Sequence, residues 1–202
     1  TMRGKELKTA AFGLLLLSLL SSPVAAHPRS WRAWAGNAVQ NPLNWDPVGP
    51  VNTNDTLLIG NFVSNADARM DSTLTVTNLS MFNLAKLNNA GGYYIFPYDF
   101  HQSHLTVSGA TILNNASELR IRLNTGSLML ANSSLYESDL LEVAGAATVL
   151  ADAELGIYGD ALLHRSDATA LTNNGLITAG GVTRLEVTSN GLLDLDGAGE
   201  NG

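Results

Sequence analysis

The chain has 202 residues, with 11 Lys and Arg against 18 Asp and Glu, a net charge of −7, and no cysteine. The lack of cysteine excludes disulfides, thiolate metal centres, a cysteine nucleophile and a lipidated N-terminal cysteine. An acidic chain without a basic cluster is repelled by phosphate backbones and anionic lipid, which argues against nucleic acid and acidic membrane surfaces as partners.

The first element is a leader. Arg3, Lys5 and Lys8 stand against Glu6, an apolar run follows from Ala10 to Leu20, and Val24-Ala25-Ala26 supplies the small residues a signal peptidase needs. Residues 1–26 are expected to be a signal peptide cleaved before His27, since the apolar run is roughly half of the about 20 residues a spanning helix requires. This makes the protein exported, at the cell surface or outside it, with no direct membrane insertion after cleavage. The remaining 27–202 carry 8 basic and 17 acidic residues, Lys86 being the one lysine among them.

Residues 27–60 are rich in Trp and Pro. Trp31, Trp34 and Trp45 are the only tryptophans, and Pro42, Pro47 and Pro50 punctuate a run of turns before Thr56–Ile59. The expectation is a cap over the open end of a stacked fold, where strand edges and core are otherwise exposed.

Beyond it, short apolar strands alternate with Asn, Gly and Ser, as in Leu105-Thr106-Val107 and Leu185-Glu186-Val187, the period-2 pattern of a strand with one buried face. Helical periodicity is absent after the leader. A shift of 36 residues places Leu105, Val107, Gly109, Ala110, Glu118, Leu119 and Ile121 on Leu141, Val143, Gly145, Ala146, Glu154, Leu155 and Ile157. Asn174-Gly175-Leu176-Ile177 is echoed 16 residues later at Asn190-Gly191-Leu192-Leu193, and Leu-Glu-Val at 141–143 recurs 44 residues on at 185–187. Such offsets suit coils of about 16–22 residues. The fold expected over 61–202 is all-β, a right-handed parallel β-helix with an N-terminal Trp-rich cap, its corners made by Asn-Gly and Gly-Ala. A β-sandwich is the rival, and the repeat decides against it.

Trp31, Asn44-Trp45-Asp46-Pro47, Pro50, Asn54-Asp55-Thr56 and Ile59-Gly60, followed by Asn173-Asn174-Gly175-Leu176-Ile177-Thr178, resemble bacterial secreted parallel β-helix proteins of the autotransporter-passenger and surface-adhesin kind. The resemblance covers nearly all of 30–202 in pattern, with no catalytic motif to carry over. It implies an exported structural or adhesive solenoid that presents an extended surface and is not an enzyme. The chain stops at Gly202 directly after a strand, which suggests continuity with a C-terminal region that is missing here.

Four places offer chemistry. The aromatic insert 91–104 holds Tyr93, Tyr94, Phe96, Tyr98 and Phe100, rings that either stack on an extracellular glycan or cover a seam of the core. Asp99, His101 and His104 offer two or three metal ligands without an evident fourth. Asp194 and Asp196, in Asp194-x-Asp196-Gly197, have the spacing of a calcium loop, or are turn residues. Asp152, Glu154 and Asp160, with Glu118 at the repeat position of Glu154, raise the possibility of carboxylates stacked on neighbouring coils, as in β-helical lyases and glycosidases. The alternative function is therefore a polysaccharide-binding or polysaccharide-cleaving β-helix. No cofactor is expected, and no nucleotide or nucleophile-elbow motif is present.

Overall fold

A computed structural model describes residues 27–90, 103–163, 169–179, 184–187, 192–194 and 200–201. The described residues form an all-β solenoid, with a single 3-10 turn at Pro42–Asn44 and no α-helix. Successive strands pair in parallel with their counterparts one coil along, which rules out the sandwich, built from antiparallel sheets.

Each coil visits three ladders in turn. The first contains Asp55–Ile59, Asn78–Met81, the second halves of His104–Leu113 and Arg122–Leu130, Ala147–Val149 and Thr169–Asn173. The second contains Asp67–Met70, Lys86–Asn89, Glu118–Arg120, the first halves of Leu135–Val143 and Glu154–Leu163, and Leu176–Ala179. The third contains Thr73–Val76, the first halves of His104–Leu113 and Arg122–Leu130, the second halves of Leu135–Val143 and Glu154–Leu163, and Arg184–Val187.

Alternate residues point inward and form columns in which each residue lies about 4.8 Å from its counterpart on the next coil. Leu57, Leu79, Leu128 and Leu171 share one column, Leu87, Leu119, Tyr136 and Leu155 another, and Leu105, Leu123 and Leu141 a third, all buried. Where two inward positions are threonine, the polar groups satisfy each other: Thr111 Oγ1 and Thr125 Oγ1 are 3.0 Å apart, and Thr125 also donates to Ser127 O at 2.8 Å. Tyr136 is fully buried, and its hydroxyl is 2.9 Å from Leu140 O and 3.2 Å from Ile121 O. Burial pushes the ionisation of this hydroxyl upward, the nearby Asp139 charge adds to the shift, and a hydrogen bond from Ser138 opposes it, so it stays protonated.

The 36-residue repeat spans two coils, because Leu105 lies beside Leu123 and Leu123 beside Leu141. The 44-residue echo also spans two, running from Leu141 through Ala161 to Leu185. The 16-residue echo is not a coil: Leu176 pairs with Glu200, and Leu192 belongs to the first ladder beside Thr169. The coils are also less uniform than the expected 16–22 residues. Thr111 and Leu128 are 17 apart, whereas Leu79 and Thr111 are 32 apart because the aromatic insert falls between them.

Two corners are built by different chemistry. Between the third and first ladders, Gly109, Gly126 and Gly145 stack so closely that a Cβ on Gly126 would lie 2.5 Å from Gly109 O, and one on Gly145 2.6 Å from Gly126 O. The described Gly-Ala pairs, Gly109-Ala110 and Gly145-Ala146, are thus corners as expected, for the reason of close backbone approach. Between the first and second ladders the corners are mostly free of glycine. Asn83-Leu84, Asn115-Ala116 and Asn132-Ser133 each put two consecutive residues at positive φ, between 50° and 61°. The turns are held by neighbouring coils, with Leu84 N donating to Asn115 O at 2.9 Å and Ala116 N to Asn132 O at 2.8 Å. Inside, Ser117 and Ser134 accept from Asn114 N and Ala131 N at 3.0 and 2.9 Å.

The segment 27–60 contributes the first rung as well as a cover. His27–Trp31 runs parallel to Asp55–Ile59, while Trp45–Asp46 pairs antiparallel with Ser30 and Trp31 and covers that part of the outer edge. Trp31 and Trp45 meet edge to face, ring centroids 5.1 Å apart, and both are completely buried at the end of the core. Asp55 is buried at an inward position and is neutralised by Arg29 Nε, and Arg29 also donates to Pro47 O at 2.8 Å.

The stacked glycine corner makes a direct prediction. Gly126→Ala forces backbone to shift in two coils and should lower stability by about 1–3 kcal/mol, measured by chemical denaturation. Ser127→Ala, one residue along on a half-exposed side chain, should be near neutral.

Candidate functional site

The outer faces of the ladders carry the polar chemistry. On the second, parallel register brings Asp67, Lys86, Glu118, Leu135 and Glu154 into one column and Arg69, Asn88, Arg120, Glu137 and Gly156 into the next. Charges of opposite sign therefore face one another across coils. Lys86 Nζ is 2.8 Å from Glu118 Oε1, and Arg120 Nε donates to Glu137 Oε2 at 2.8 Å. Arg120 Nη1 lies 2.6 Å from Glu118 Oε2, an ion pair without a well-directed hydrogen bond. At the adjoining corner Arg122 grips Asp139 with two bonds, Nε to Oδ1 at 2.9 Å and Nη2 to Oδ2 at 2.6 Å. Consecutive arginines of one coil thus hold consecutive acids of the next.

The third ladder presents Thr75, Thr106, Asn124 and Glu142 outward in one column. Beside them the small corner residues Gly126 and Ala144 leave a shallow open hollow of about 260 Å³ lined also by Ser108 and Thr125. It offers hydroxyl, amide and carboxylate groups at strand spacing, and Asn124 Oδ1 is buried there without a partner among the described residues. One carboxylate in an open hollow can accept hydrogen bonds but does not make an acid and base pair.

At the N-terminal end, Arg32 bonds Asp46, Nη2 to Oδ2 at 2.6 Å, and its Cζ lies 3.7 Å from the centroid of the Phe62 ring and 5.7 Å from that of Trp34. The sequence groups the three tryptophans in one capping segment. The structure separates them: Trp31 and Trp45 are core, and Trp34 is 63% exposed.

The expected carboxylate row does not assemble. Glu118 and Glu154 share a column but are separated by Leu135 on the intervening coil, so they are two coils apart instead of neighbours. Glu118 is engaged by Lys86 and Arg120, and Glu154 accepts from Thr178 Oγ1 at 3.0 Å. Asp152 sits at a corner with φ 62°, and Asp160 on the third ladder opposite Leu140 and Arg184, so sequence neighbours land on different sides of the solenoid. His104 lies on the third ladder between Thr73 and Arg122, its Nε2 buried and without a partner among the described residues. Among those residues no three His, Asp or Glu side chains converge on a point that would hold a metal. Tyr93, Tyr94, Phe96, Tyr98, Phe100, Asp99, His101 and Asp196 lie outside the described residues, as does the leader 1–26. Asp194 ends the strand Leu192–Asp194, its backbone paired with Thr172.

Arg120 is the joint of the charge ladder, so Arg120→Met should strand the largely buried Glu137 carboxylate and cost about 2–4 kcal/mol, read by denaturant unfolding. The double variant Arg120→Met with Glu137→Leu should recover much of that loss. No family model matches the chain, and no curated protein or solved structure is significantly similar to it, so no family is assigned from comparison.

Proposed function

We propose that the protein is an exported, non-catalytic β-solenoid that holds an extended surface away from the cell and works by adhesion or as a structural element. One observation supports this reading above others: three parallel ladders close around a continuous apolar core, and outside it Lys86, Arg120 and Arg122 tie to Glu118, Glu137 and Asp139 on the next coil. A rod of this kind gains length by about 4.8 Å for each added coil without needing a new core design. The leader pattern at 1–26 supplies the route out of the cytoplasm, and the acidic surface keeps the rod from phosphate and anionic lipid. A second reading, polysaccharide binding, is favoured by the two exposed rings that flank Arg32.

Export and display are tested together in the native host. N-terminal sequencing of the extracytoplasmic fraction should give His27 as the first residue, and protease added to intact cells should remove the chain. A chain that keeps its leader and stays protected inside the cell would overturn the proposal.

A further inference from the structure

We infer that Arg32, Trp34 and Phe62, with Asp46, form a binding site for a neutral saccharide at the N-terminal end of the solenoid. The inference gives the proposed surface a ligand class and rests on that reading for its setting. Trp34 is 63% and Phe62 57% exposed, although two other tryptophans on the same segment, Trp31 and Trp45, are completely buried. Exposed large rings gathered at one place point to a contact surface. Their positions are set by the solenoid. Trp34 follows the first rung, His27–Trp31, and Phe62 follows the strand beside it, Asp55–Ile59, so both emerge at the same corner one coil apart.

The guanidinium of Arg32 joins the two rings. Its Cζ is 3.7 Å from the Phe62 centroid and 5.7 Å from that of Trp34. Its side-chain hydrogen bonding among the described residues is confined to Asp46, although a guanidinium carries five donors. Asp46 is 45% exposed at its side chain and, among the described residues, bonds Arg32 alone through its carboxylate, leaving acceptor capacity on the other oxygen. The patch therefore combines apolar ring faces with a donor and an acceptor already oriented by each other.

That combination matches a pyranose, whose C–H face stacks on an aromatic ring while its edge hydroxyls both donate and accept. Charge narrows the class. Arg32 is neutralised by Asp46, and the chain carries a net charge of −7, so an acidic glycan has no excess cation to meet and is repelled over longer range. A protein partner fits less well, because a stable interface needs about 800 Å² per side with an apolar centre, and here the centre is an ion pair.

The three tryptophans give the experiment its readout. Trp31 and Trp45 are inaccessible, so acrylamide quenching of the purified full chain reports on Trp34. The probes are cellohexaose, chitohexaose, mannohexaose and, as the acidic comparison, hexagalacturonate. At least one neutral hexasaccharide should shield Trp34 from quenching, and Phe62→Ala should weaken that binding about tenfold, the scale of one stacking contact. Trp34→Ala should abolish retardation of the chain in a gel containing the corresponding polysaccharide while leaving the unfolding temperature unchanged. The site is disproved if no neutral probe shields Trp34 at millimolar concentration, if hexagalacturonate shields it equally, or if Phe62→Ala binds as the parent does. Shielding that grows with protein concentration in the absence of sugar would mark self-association and overturn it as well. None of these outcomes depends on export, so failure here leaves the surface reading to its own test.

Discussion

Everything in this molecule depends on one constraint, that each coil must return to the place where its strands lie directly over those of the coil before. Parallel ladders hydrogen-bond only in that alignment, and a slip of one residue turns the buried leucines outward. The corners enforce it in two ways. At the corner between the third and first ladders, three successive coils contribute one glycine each and let backbone rest on backbone, with room for no side chain between Gly109 and Gly126 or between Gly126 and Gly145. At the first corner pairs of residues at positive φ turn the chain sharply, and hydrogen bonds from the next coil hold a conformation that non-glycine residues adopt at a cost.

With the register set, side chains fall into columns, and chemistry becomes a matter of what sits one coil up or down. Leucine on leucine gives the core. Arg120 over Glu137 and Arg122 over Asp139 give an ion ladder that is satisfied only in the native alignment. Thr125 and Thr111 stand in different columns, paired with Val107 and Leu128, and meet across the glycine corner, so hydroxyls enter the core without leaving an unpaired group. Partly buried ion pairs and paired hydroxyls add less to stability than leucines of equal size, but they discriminate against slipped registers, in which each would lose its partner.

The N-terminal end is where this economy of repetition breaks. Trp45–Asp46 runs antiparallel and covers the Ser30 and Trp31 end of an edge that stacking leaves open, Arg29 neutralises an aspartate at an inward position, and Trp34 and Phe62 remain in solvent around Arg32. A solenoid whose sides are tied coil to coil has most freedom to vary at its corners and its ends. A ligand site at the end of the stack uses residues that the register does not already employ.

The fold class was legible in the sequence because stacking repeats hydrophobic position at intervals of one or two coils, and the 36-residue recurrence from Leu105 to Leu141 records that. The strands Asp67–Met70 and Lys86–Asn89 were not legible, since only two inward residues each face the core and their outward neighbours are charged or amide. The 16-residue echo misled because it linked two different ladders that merely share Leu-rich chemistry. Likewise, Glu118 and Glu154 looked like neighbours through a repeat that skips a coil, and the spacing of Asp152, Glu154 and Asp160 concealed a corner. The sequence by itself determined a stacked all-β chain with a Trp-rich beginning and corners at Gly109-Ala110 and Gly145-Ala146. Only the tertiary structure decided which residues meet across coils and which tryptophan stays outside, because those contacts depend on coil lengths that vary from 17 to 32 residues between matched positions and that no local pattern encodes.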